Sequence, residues 1–124
     1  MNVGGAWNGT GSDSQGPFTL AWVLTQTGNV VSGSALTKPV STTDGTCASC
    51  HKNKIGTLSG TVSGSVFAFT MSFPAGSGGE PTPICSVSMN GTTASLTASA
   101  TSANYTGADS CEGPFTGGTI SMTR

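Results

Sequence analysis

Charge is scarce in this chain: Asp, Glu, Lys and Arg make up 7% of 124 residues, and the formal net charge is -1. No basic face is available to neutralise phosphates and no acidic tail to recruit a basic partner, which excludes nucleic acid as a partner. Long apolar runs are also missing; none reaches the roughly 18 residues that a membrane-spanning helix needs. The N-terminus lacks the basic-then-apolar plan of a signal peptide. Helical periodicity is absent throughout. The carboxylates number five, Asp13, Asp44, Glu80, Asp109 and Glu112. Most fall in predicted turns, where they read as solvated, so paired-carboxylate catalysis has no support. Gly60-Thr61-Val62-Ser63-Gly64 lacks the nucleophile-elbow form, and Gly76-Ser77-Gly78-Gly79 runs into Glu80-Pro81 with no helix or Lys behind it. With one histidine, His51, and no orienting acid in its own loop but Asp44, a catalytic triad is not indicated. The chain reads as non-enzymatic, with no catalytic residues and no metal site.

What is present is glycine, 19 residues, with Ser and Thr supplying 38 more. That bias removes helix formers and favours turns and strands. Period-2 alternation recurs in short segments separated by Gly, Asn, Ser and Pro, the pattern of an antiparallel all-β domain. Eight strands are expected over Val3–Ser12, Pro17–Gln26, Val30–Thr37, Thr57–Val62, Ser65–Phe73, Ile84–Ser95, Ser99–Gly107 and Thr116–Thr123. Thr27-Gly28-Asn29 and Ser63-Gly64 supply the positive φ that tight hairpins require. Residues 1–124 make one domain with one modest core.

Alternation places Phe18, Leu20, Trp22 and Leu24 on one side of the second strand, and Phe67, Phe69, Met71 and Phe73 on one side of the fifth. Those sides point inward, with Leu58, Val62, Val87, Met89, Ile120 and Met122, while Ser and Thr take the opposite face. An open eight-stranded meander leaves two bare edges, which closure into an up-and-down β-barrel removes. Two long connections, Lys38 to Gly56 and Pro74 to Pro83, extend from the barrel ends. The inward Trp7, Phe18, Leu20, Trp22, Phe67, Phe69, Met71 and Tyr105 are the candidate lining of a site for a small, largely apolar ligand. For Trp7, Trp22 and Tyr105, filling the core is the alternative role.

Gly5-Ala6-Trp7 and the closing Arg124 resemble the G-x-W and terminal Arg of the calycin barrels, the lipocalin and avidin class. The resemblance implies a Trp plugging one barrel end with Arg packed over it. The segment GAWNGTGSDSQGPFTLAWVLTQTGNVVSGSALT is similar in layout to an avidin N-terminal hairpin. The positions of the biotin-binding Asn and Ser fall on Gly9 and Asp13, so the resemblance does not imply biotin.

Four cysteines fit an oxidising compartment. If the sixth and seventh strands fold back near Ala98, Cys85 and Cys111 are equidistant from the turn and should bond, restricting the unfolded chain by about 3 kcal/mol. That leaves Cys47-Ala48-Ser49-Cys50-His51, which has the c-type haem attachment pattern. In this reading Cys47 and Cys50 carry the thioethers, His51 is an axial ligand, and the sixth ligand is Met71, Met89 or Met122, or is missing. The competing reading is a Cys47–Cys50 disulfide stapling a loop in which His51, Lys52 and Lys54 are solvated. The flanking STTDGT and KNKIGT give a haem almost no apolar pocket, zinc would want a fourth ligand, and a redox pair would want a helix N-terminus. Asn8-Gly9-Thr10 and Asn90-Gly91-Thr92 meet the N-glycosylation pattern.

The sequence therefore points to an exported all-β barrel, disulfide-stapled, secreted, periplasmic or at the cell surface, with its signal peptide removed. It binds a small apolar molecule at an open end or in a cavity, without a cofactor. The alternatives are a monohaem c-type carrier or sensor, with haem c on Cys47, Cys50 and His51, and a structural surface protein that self-associates.

Overall fold

The computed structural model describes residues 1–40, 54–77 and 85–124. Eight strands follow in order: β1 Gly5–Asp13, β2 Gly16–Thr27, β3 Val30–Pro39, β4 Lys54–Ser63, β5 Val66–Phe73, β6 Val87–Leu96, β7 Ala100–Asp109 and β8 Gly113–Thr123. Each pairs antiparallel with its neighbour in sequence, and β1 also pairs with β8, so the sheet closes on itself as an up-and-down barrel. Closure satisfies every strand edge, which this nearly uncharged wall could not protect with edge charges.

The hairpins fold where the backbone can turn left-handed. Gly28 and Gly64, at φ +62° and +60°, make the tight turns between β2 and β3 and between β4 and β5. The β6–β7 ladder is symmetric about Ala98 from Val87↔Asp109 to Thr93↔Ala103, and slips by one at a bulge between Thr93 and Ser95. Continuing that symmetry past the ladder brings Cys85 opposite Cys111, and the two form the expected disulfide. Cys47, Cys50 and His51 lie outside the described residues.

The inward face is apolar as alternation requires, but its packing depends on glycine. Phe18 faces Gly11 across β1–β2, Phe69 faces Gly91 across β5–β6, Tyr105 faces Gly118 across β7–β8, and Phe115 faces Gly107 on the same pair. A Cβ at Gly91 would overlap the Phe69 ring, and one at Gly107 or Gly118 would stand 2.7 Å from the ring of Phe115 or Tyr105. Each large ring thus lies over a partner with no side chain. That is how an eight-stranded barrel, whose interior has room for little more than its own side chains, accommodates so many aromatics.

Candidate functional site

The barrel has two unlike ends. At the end formed by the chain's first residues, the β2–β3, β4–β5 and β6–β7 turns and Arg124, Trp7 is buried and its Nε1–H donates to the Val3 carbonyl at 2.8 Å. The Arg124 guanidinium lies 4.6 Å from the Trp7 ring centroid and donates to three carbonyl oxygens: Gly4 at 2.5 Å, Asn2 at 3.1 Å and Ala98 at 2.6 and 2.9 Å. A planar, permanently charged fork suits this use, stacking on a ring while its N–H groups reach several backbone acceptors. This end is plugged.

The middle of the barrel is filled. Trp22 makes edge contacts with Phe67 and Phe69 at centroid distances of 6.2 and 5.2 Å, and its Nε1–H donates to Met71 Sδ at 3.2 Å. All eight residues expected to line a site, Trp7, Phe18, Leu20, Trp22, Phe67, Phe69, Met71 and Tyr105, point inward and are buried. They pack on one another, on glycines and on Met89 and Met122. Met71, Met89 and Met122, the methionines available to a haem iron, all belong to this packed interior.

The opposite end, at the β1–β2 and β7–β8 hairpins, gathers polar groups that sequence reading had placed in solvent. Lys54 was expected in a solvated loop; it is instead the first residue of β4, fully buried, with Nζ donating to the Cys85 carbonyl at 2.8 Å. The inward-outward alternation simply extends from Leu58 back through Gly56 to Lys54. Asp109 was expected in a solvated turn; it is 3% exposed and accepts the backbone N–H groups of Cys111 and Glu112 at 2.8 and 2.6 Å. Asp13, half-buried, accepts the Tyr105 hydroxyl as well as the Gln15 N–H at 2.7 Å. Burial, reinforced by the hydrogen bond to Asp13 and by its charge, pushes the Tyr105 phenol well above its ordinary range. Tyr105 stands edge-on to both Phe18 and Phe115, at 6.2 Å each.

Beside Lys54, and paired with it across β3–β4, is Thr37, 1% exposed and directed inward. Its Oγ1 has no hydrogen-bond partner among the described residues. A buried hydroxyl left unpaired costs about 1–3 kcal/mol, so its retention is a feature to explain. Thr37, Lys54, Asp13, Asp109 and Phe115 were not singled out as site residues from sequence. The available signal was alternation continued one to three residues past the expected ends of the first, fourth, seventh and eighth strands, with Thr37 closing the third.

Among the described residues no group of three or more His, Cys, Asp or Glu is placed to hold a metal ion, and no helix is long and apolar enough to cross a membrane. Comparison with protein-family models, curated proteins and solved structures yields no match.

Proposed function

We propose that the chain is a non-enzymatic barrel that binds a small, largely apolar molecule at the end marked by Thr37, Tyr105 and Phe115. The observation that carries this reading is the Thr37 hydroxyl, a buried hydrogen-bonding group without a partner among the described residues. A ligand bearing one polar group beside an apolar body would satisfy it while lying against the Phe18–Tyr105–Phe115 rings. The plugged end at Trp7 and Arg124 and the packed middle favour this end as the place of entry. The Trp7–Arg124 arrangement also supports membership of the calycin class, and the Cys85–Cys111 disulfide supports export to the periplasm, cell surface or exterior.

The test is a calorimetric titration with decanoate, a chain carrying a single polar head, on the wild type and on Thr37→Val. Saturable one-to-one binding, weakened roughly fivefold to tenfold by the loss of one hydrogen bond, is the expected result. Absence of saturable binding, or identical affinity in the variant, removes Thr37 from the site.

A further inference from the structure

Residues 1–4 precede β1 and take no part in its ladders, which begin at Gly5 against β2 and at Asn8 against β8. Each of their four carbonyls nevertheless accepts a hydrogen bond from a side chain of the barrel. Gln26 Nε2 donates to Met1 at 3.0 Å, Arg124 donates to Asn2 at 3.1 Å and to Gly4 at 2.5 Å, and Trp7 Nε1 donates to Val3 at 2.8 Å. Gln26 Oε1 also accepts the Val3 N–H at 2.9 Å. Between these bonds the Val3 side chain is 1% exposed and joins the core. Asn2 Oδ1 accepts the Gly4 N–H at 2.7 Å, closing an Asx turn with Val3 at its tip.

We infer that this barrel end is a peptide-binding site, occupied here by the chain's own residues 1–4, and that the ligand it takes is a short turn of the form Asn-aliphatic-Gly. The groups that hold the segment do not depend on it for their own positions. Arg124 makes two hydrogen bonds to the Ala98 carbonyl, at 2.9 and 2.6 Å, and Gln26 Nε2 also donates to the Gly28 carbonyl at 2.9 Å, so both are anchored on hairpin turns of the barrel. Trp7 is anchored within β1, opposite Trp22. With the segment gone the three donors stay in place, which is the pre-organisation that binding requires. Bonds to backbone carbonyls hold a peptide of the right shape, and the space filled by Val3 selects its aliphatic tip. Among the described residues the ionised side chain at this end is Arg124, so a cationic tip is rejected both by burial and by like charge. Gly5, at φ +114°, is the joint between segment and strand, a conformation that suits glycine. Side-chain bonds and one buried valine hold the segment, so it can leave without opening a ladder. The site lies at the end opposite Thr37 and does not rest on the ligand reading made there.

NMR of the two indole N–H groups reads the outcome, with Trp22, bonded to Met71 in the packed middle, as the check on the barrel. Val3→Lys in the full chain should release the segment, moving the Trp7 indole signal and leaving that of Trp22 in place. Added acetyl-Met-Asn-Val-Gly-amide should return the Trp7 signal to its wild-type position saturably, with a Kd of roughly 1 mM, since no tether raises its effective concentration. The same peptide with Lys in place of Val should leave the signal unmoved. A Trp7 signal that Val3→Lys does not change overturns the inference, as does loss of the Trp22 signal along with it, which would make the segment part of the fold. So does the absence of any return at roughly 10 mM peptide, or an equal response to the Lys-bearing peptide.

Discussion

Phe69 lies over Gly91, its partner across the β5–β6 ladder, so closely that a methyl group on Gly91 would overlap the ring. The same relation joins Phe18 to Gly11, Tyr105 to Gly118 and Phe115 to Gly107. Gly91→Ala should therefore force the ring off its rotamer and destabilise the fold by about 1–3 kcal/mol, the usual cost of overpacking. Urea unfolding measures it. Phe69→Leu in the same chain should recover part of the loss, giving a non-zero coupling in a double-mutant cycle.

Arg124 closes the plugged end through one ring contact and hydrogen bonds to three backbone carbonyls. Arg124→Lys keeps the charge but loses the fork, so it should cost nearly as much as Arg124→Ala, about 1–3 kcal/mol. Solvent reaching Trp7 should shift the tryptophan emission to longer wavelength in both variants.

Alkaline pH acts through Tyr105. Its folded-state pKa lies above the unfolded value of about 10. Above that pH the unfolded chain binds fewer protons than the folded one, so stability falls as pH rises. The stabilisation is fully present below pH 10 and declines beyond it. Tyr105→Phe removes the proton and should flatten this alkaline limb, read from unfolding midpoints between about pH 8 and 11.

The Cys85–Cys111 bond should contribute about 2–4 kcal/mol. The paired variant Cys85→Ser with Cys111→Ser should keep the barrel, because Ser86 and Ser110 still exchange hydrogen bonds of 2.9 Å beside it. Its denaturant midpoint should fall and its slope should rise, because the released unfolded chain exposes more surface.

Much of this architecture is legible in the residues. Alternation from Phe18 to Leu24 and from Phe67 to Phe73 places two strands and their inward faces, and the symmetry about Ala98 pairs Cys85 with Cys111. What was not legible was the second use of glycine. Gly11, Gly91, Gly107 and Gly118 fall inside the expected strands with no role assigned to them, because propensity is a property of one chain segment. Their role depends on which ring stands opposite, a matter of register between strands. The polar end was missed for a related reason. Lys54 and Asp109 carry residue types that normally end a strand in water, and only tertiary contacts, such as the Cys85 carbonyl for Lys54, allow them to be buried.

The central claim is that ligand enters at the Thr37 end, and the most direct measurement is an amide NMR titration with decanoate. The account predicts saturable shifts at Phe18, Thr37, Tyr105 and Phe115, with Trp7, Leu24, Val62 and Arg124 unmoved. Shifts centred on the Trp7–Arg124 end, or none at saturating probe, would contradict it.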